Sequence, residues 1–362
     1  MSANKYLVSV VIPVFNRKNL LLETIQSLKN QSYSNWEAIL VDDGSTDGTY
    51  ESILELAESD PRLKLHQRKI EPKGASSCRN YGIGLSKGEF LFFLDSDDIL
   101  AHHCLNERVH HFCQNPEMDF LIFPALIFEE KPGDTNILWN IDKDRDDIVR
   151  FLNIDVPWQT SASFFRRKIL NEIGSWDNTT SAWEDMDYHV RALIKGLKYK
   201  KINTQPDYYY RIYNKDKLSN NDNTVEQLYA RIRLAEKFYQ YFKENDKFTP
   251  LYRKKLFNFY LWICYSFYRA EHFPGVKAVC YSLYKKGPLN ILSYAFLKNI
   301  MIFHYFVIYN SYKKKPLQYI RKKIREIIFE MYFKKIPPID CTTHTERFFS
   351  KPLEKVIVND HN

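Results

Sequence analysis

Residues Glu89–Asp98 read EFLFFLDSDD, an apolar run from Phe90 to Leu94 broken off by three carboxylates, Asp95, Asp97 and Asp98. An uninterrupted apolar run of this length predicts a strand buried on both faces, as in a parallel sheet covered by helices. Open α/β sheets bind ligands outside the carboxyl ends of their strands, which is where these acids stand. Carboxylates crowded together repel one another unless a cation relieves them. The stretch points to a divalent metal holding a phosphate-bearing substrate.

The same pattern recurs upstream. Leu7–Ile12 (LVSVVI) and Trp36–Val41 predict two further buried strands, and Leu63 with Leu65 a short third one. Helical spacing falls between them, at Leu21, Ile25 and Leu28, over Glu51–Glu58 and over Gly74–Ser86. Strands alternating with helices predict βαβ units and a mostly parallel sheet. Six of the eleven glycines lie between residues 44 and 88, where the backbone must turn tightly or approach something closely. Farther on, Asp119–Phe128 and Ser161–Phe165 read as strands and Trp183–Lys195 as a helix. Lys131–Asp147 reads as a surface loop, and Tyr208–Tyr210 as a closing edge strand. A polar linker, Lys215–Asn223, precedes a helical, aromatic pattern that begins at Thr224.

Charge divides the chain at that linker. Residues 1–224 hold 27 Lys and Arg against 33 Asp and Glu, and residues 225–362 hold 25 against 11, so a body of net charge −6 carries a tail of +14. The six cysteines form no CxxC pair, and the N-terminus enters a strand without an apolar signal region. Both features predict a cytoplasmic protein with reduced thiols. In the tail, Ile291–Asn310 has the length of a membrane span but contains Lys298, Asn299 and His304. With the basic runs at residues 313–315 and 321–325, it predicts helices lying on an anionic membrane surface, peripheral to the inner face of the cell membrane. No nucleic-acid motif accompanies these basic residues, so nucleic acid is not an expected partner. His102, His103, Cys104, His110, His111 and Cys113 do not converge at the spacing of a structural zinc site.

The ordered motifs VSVVIPVFN, VDDGSTDGT, SSCRNYGIGLSKGEF, FLDSDD and the later IGSWDNTTSAWEDMDYHVRAL resemble glycosyltransferase family 2 over roughly residues 5–215. The resemblance implies a GT-A fold, a Rossmann-like, mostly parallel sheet with flanking helices, over residues 1–222. The nucleotide-binding half would be about residues 1–98 and the acceptor-side half about 99–222, with residues 223–362 forming a basic, aromatic-rich, helical C-terminal region. It also implies inverting, metal-dependent sugar transfer from a nucleotide-sugar to a saccharide or lipid-linked saccharide acceptor.

Site residues follow by motif. Asp42 and Asp43 stand at a strand end, where a carboxylate can accept a uracil-type N–H. The resemblance gives that role to Asp43, places Pro13, Phe15 and Asn16 beside the base and ribose, and adds Gly74 and Arg79 next to the site. Asp95-Ser96-Asp97 matches the DXD motif, with Asp97 as the ligand of Mn²⁺ or Mg²⁺ and Asp95 toward the ribose. Glu184-Asp185 matches the acceptor-side acidic pair, with Asp185 as general base. Trp158, Trp176 and Trp183 are either sugar platforms or core. One departure stands out: where many members carry a histidine completing the metal site, this chain has Tyr213 in Tyr210-Arg211-Ile212-Tyr213. Two other readings stay open. A sugar nucleotidyltransferase would need a triphosphate loop, for which VFNRKN (residues 14–19) is a poor match. A non-catalytic binding module would accommodate Tyr213.

Overall fold

A computed structural model describes residues 5–135, 137–139, 145–180, 183–212, 224–270 and 272–285. The chain runs β1 (Val8–Val14), α1 (Lys18–Lys29), β2 (Trp36–Asp42), α2 (Thr49–Ser59), β3 (Leu63–Gln67), α3 (Ala75–Leu85), β4 (Phe90–Phe93) and β5 (Ile99–Leu100). It continues through α4 (Cys104–Gln114), β6 (Phe120–Ile122), β7 (Ala125–Phe128), β8 (Ile137–Leu138), α5 (Asp147–Leu152), β9 (Ser163–Arg166), α6 (Leu170–Ile173) and α7 (Glu184–Ile194). After β10 (Tyr199–Lys201) and β11 (Tyr208–Arg211) come three helices, α8 (Val225–Glu244), α9 (Pro250–Arg269) and α10 (Phe273–Lys285).

Seven strands form the main sheet in the order β10-β6-β9-β4-β1-β2-β3. Only β9 runs against its neighbours β4 and β6. Every residue of β1, β2 and β4 is buried, which explains why their sequences are mostly apolar rather than alternating, with Ser9 and Glu37 buried as a hydrogen-bonded pair. α3 lies close on β1 because Gly82 lacks a side chain: a Cβ there would sit 2.4 Å from a Val11 methyl. This is a GT-A fold.

A second sheet, β5-β11-β7-β8, corrects two expectations. Tyr208–Tyr210 does not close an edge, because β11 lies inside this sheet between β5 and β7. Asp119–Phe128 is not one strand but two, β6 in the main sheet and β7 in the second. The break falls at Phe123-Pro124, where proline removes a ladder N–H and restricts the residue before it. The stretch read as a surface loop, Lys131–Asp147, contributes β8 and the first residue of α5. The polar linker and Tyr213 lie outside the described residues, as does the basic segment from 291 onward.

Candidate active site

Parallel pairing of β2, β1 and β4 in register brings their carboxyl ends to one edge of the main sheet. The loops after β1, after β2 and after β4 therefore meet. Pro13 stays inside β1 opposite Val41, while Phe15 projects with 51% of its surface exposed. Asn16 takes a positive φ of 49°, a conformation asparagine tolerates better than most residues. Its Oδ1 accepts the Thr46 N–H at 2.8 Å and its own N–H donates to Ser45 Oγ at 3.0 Å, which ties the first loop to the second.

The two acids after β2 divide their work. Asp42 is fully buried, and its carboxylate accepts from the Gly44 and Ser45 N–H groups at 3.0 and 3.1 Å. It forms the turn. Asp43 instead meets Arg68 Nη1 at 2.5 Å and the Gly74 N–H at 2.6 Å. Gly74 has φ +122°, a conformation that side chains rarely adopt, and it caps α3. Arg68 was not singled out from the sequence. The only signal was its place directly after β3, where a strand-end cation mirrors the strand-end acids of β2 and β4.

The three acids after β4 also separate. Asp98 is buried; its carboxylate accepts the Ser161 hydroxyl at 2.8 Å and the Arg211 N–H at 3.4 Å. It joins the main sheet to the second one. Asp95 is half-buried and pairs with Arg79 Nη2 at 2.8 Å. Asp97 and Ser96 are half-buried at the rim, and Arg211 Nε donates to the Asp97 carbonyl at 3.0 Å while its Nη2 pairs with Glu23 at 2.6 Å. Arg211 was visible in the sequence only as the neighbour of Tyr213, yet it braces the Asp97 backbone.

Arg79 links the two ends of the site. Its side chain is 4% exposed, and beyond Asp95 it reaches Glu184 Oε1 at 3.5 Å. Its guanidinium lies 4.5 Å from the Trp176 ring, whose other neighbours include Tyr188, stacked at 4.1 Å. Asn80 brackets the Trp176 backbone with two hydrogen bonds of 2.8 Å. The Arg-Asn pair of α3 thus holds the acceptor-side segment as well as Asp95.

Asp185 lies in the first turn of α7. Burial pushes its carboxyl up to about 7, with Glu184 and Asp95 adding repulsion and Arg79 and the Met186 N–H opposing it. His189, one turn later, is driven down to about 3 by burial. Trp158 is fully buried against Phe151, His189 and Tyr199, so it is core and offers no sugar platform. Trp176 is likewise buried. Trp183 is half-buried and stacks on Trp262 at 5.2 Å. Two cavities of about 550 Å³ are lined by none of these acids, one beside Lys87, Phe90 and Arg167 and one beside Gln26, Ile99 and His102. The candidate site residues lie instead along the strand ends.

Among the described residues no three His, Cys, Asp or Glu side chains converge as a metal site, the histidine-rich stretch around α4 included. The oxygen donors at the rim nonetheless suit a hard divalent ion of the Mg²⁺ or Mn²⁺ class. Such ions are held by one or two carboxylates together with substrate phosphates rather than by an all-protein cage.

Residues 9–174 match the family model described as glycosyl transferase family 2. Over that stretch the chain is similar to family 2 glycosyltransferases. It is 30% identical over 216 residues to the minor teichoic acid biosynthesis protein GgaA of Bacillus subtilis, covering 56% of this chain and 46% of that one. It is 37% identical over 110 residues to the UDP-Glc:alpha-D-GlcNAc-diphosphoundecaprenol beta-1,3-glucosyltransferase WfgD of Escherichia coli, covering 30% and 42%. The matched stretch thus spans less than half the length of either relative. In fold it is similar to S. aureus TarS residues 1–349 in complex with UDP-GlcNAc, with a TM-score of 0.53, 17% identity and coverage of 76% of this chain and 90% of that one.

Proposed function

We propose that this chain is an inverting glycosyltransferase that moves a sugar from a UDP-sugar to a saccharide or lipid-linked saccharide acceptor. The observation that carries the reading is Arg79, which joins the acids after β4 to the acids opening α7 in one charge network. Two motifs 89 residues apart, at 95 and 184, thereby become parts of one site. The WfgD resemblance supports a UDP-sugar donor and a lipid-linked saccharide acceptor, and GgaA is named for minor teichoic acid biosynthesis.

Each step follows from a residue. Phe15 offers an exposed ring to the base, and Asp43, flanked by Arg68 and the Gly74 N–H, presents a carboxylate edge to its N–H. Asp97 would hold Mn²⁺ or Mg²⁺ on the diphosphate; the ion, when bound, neutralises charge growing on the leaving group. Asp185 takes the proton of the acceptor hydroxyl as that oxygen attacks the anomeric carbon opposite the leaving diphosphate. A carboxyl near 7 is basic enough for this work and still ionised at neutral pH in about half the molecules. A single displacement inverts the anomeric centre.

The test is turnover of UDP-glucose and UDP-GlcNAc with Mn²⁺, read as UDP release, together with UDP binding by calorimetry. Asp185→Asn should abolish turnover and leave UDP affinity intact, and Asp97→Ala should remove the Mn²⁺ dependence of binding. Full turnover by Asp185→Asn would refute the assignment of the base.

The basic tail of +14 would bring this site to lipid-linked acceptors at the inner face of the membrane. No helix among the described residues is long and apolar enough to cross a membrane. A chain ending at residue 285 keeps α8, α9 and α10 and should lose sedimentation with phosphatidylglycerol vesicles. Equal sedimentation of both lengths would refute a membrane role for residues 286–362.

A further inference from the structure

We propose that Arg231 of α8 and Trp262 of α9 are positioning residues for the base, holding Trp183 in the strained conformation that aims Asp185 into the site. The inference rests on the reading of Asp185 given above.

Trp183 immediately precedes α7 and has φ 60°, ψ 36°, the left-handed region. A bulky side chain disfavours that conformation, so surrounding contacts must impose it. Those contacts come from the C-terminal helices. The Trp262 ring lies 5.2 Å from the Trp183 ring at an interplanar angle of 24°, and Phe259 closes in at 6.0 Å. The Arg231 guanidinium lies 4.1 Å from the Trp183 ring and 5.1 Å from the Trp262 ring. Arg231 has no exposed surface at all. A guanidinium removed from water in this way gains from the faces of two indoles, and it presses both into one stack.

α8 grips the same segment at two more points. Lys237 pairs with Asp177, next to Trp176, and the Tyr241 hydroxyl donates to Asp187 at 3.5 Å. Asp187 in turn pairs with Arg191 at 2.8 Å. Asp177 and Asp187 are thus fastened to a helix that lies beyond the stretch matched by the family model. If the stack loosens, Trp183 relaxes to negative φ, and the first turn of α7 swings away with Glu184 and Asp185. Arg79 then loses one of its two carboxylate partners.

The experiment uses the full chain with UDP-glucose or UDP-GlcNAc and Mn²⁺, turnover read as UDP release, and UDP binding read by calorimetry. Arg231→Met and Trp262→Leu should lower kcat by about 10- to 100-fold at a temperature where circular dichroism shows them fully folded, the scale of a misplaced catalytic group. UDP affinity should stay within about threefold, and the acid limb of the kcat profile should move as Asp185 loses its surroundings. Trp262→Phe, which keeps an aromatic face, should restore most of kcat. Should Arg231→Met fail to fold, Arg231→Lys retains the charge without the planar face and reads the same quantities. Wild-type kcat and an unmoved acid limb in the folded variants would overturn the proposal, as would a kcat loss matched by an equal loss of UDP affinity. Asp185→Asn serves as the reference: if it is inactive while Arg231→Met and Trp262→Leu keep full kcat, only this inference fails. If Asp185→Asn itself turns over normally, the assignment of the base fails.

Discussion

The donor side and the acceptor side of this site are held in different ways. On the donor side, the acids stand at strand ends of one sheet, and the loops and side chains at those same strand ends fix them. Asp42 bonds to N–H groups two and three residues away, and Asn16 bonds to the adjoining loop. On the acceptor side, Trp183 takes a conformation that its own neighbours do not favour, and side chains 48 and 79 residues later hold it there, at 231 and 262. Fixing within one sheet edge keeps the donor side independent of the C-terminal helices. Long-range fixing makes the base depend on helices that touch no substrate.

The largest effect that would sharpen this contrast is the loss of the base. Asp185→Asn should lower kcat by about 10²- to 10⁴-fold, the usual range for removing a general base, with UDP binding unchanged in calorimetry. Asp43→Ala should do the reverse. It removes a charge-assisted contact of about 1.5–3 kcal/mol, so UDP should bind about 10- to 100-fold more weakly while kcat at saturation changes little. Equal effects of both substitutions on kcat and on binding would break the division into two sides.

Next in size is the pH response. Asp185 must be ionised to accept a proton, and its carboxyl lies at about 7. Steady-state kcat should therefore climb about tenfold per pH unit below 7 and level off above it. The same shift enters stability with a definite sign. The folded state holds this proton more tightly than the unfolded chain does, so the stabilisation is present below about pH 4 and is lost as pH rises through about 7. Thermal melts should show Asp185→Asn gaining on wild type at pH 8 and losing that advantage toward pH 4. A flat difference would mean that the carboxyl is not raised.

The smallest expected effect tests the local fixing on the donor side. Gly74→Ala must place a Cβ at φ +122° and should cost about 1–2 kcal/mol in urea unfolding. Nothing lies within 4 Å of that Cβ, so the cost is conformational and not steric crowding. No loss of stability would mean that the N–H of residue 74 can reach Asp43 from another backbone conformation.

Much of the donor side was legible because its signals are local. An apolar run ending in acids names a strand and its loop at once, and β1, β2 and β4 lie where such runs fall. The division of labour within each acidic group was not legible. Asp42 and Asp43 are adjacent and chemically identical, yet one makes a turn and the other faces Arg68. Asp98 reads like Asp97 but is buried against Ser161 and Arg211. Tryptophans misled for the same reason: nothing in the composition around Trp158 distinguishes a core indole from a sugar platform.

By itself the sequence determined the alternation of strands and helices, the acids at the strand ends and the charge contrast between body and tail. These depend on periodicity and residue type, which act over a few neighbours. Only the tertiary structure decided which acids face outward, that β11 lies inside a second sheet, and that Arg79 joins residues 95 and 184. It alone brought Arg231 and Trp262 onto Trp183. The physical reason is that burial, ion pairing and ring stacking act between groups close in space, and packing places such groups together without regard to their distance along the chain.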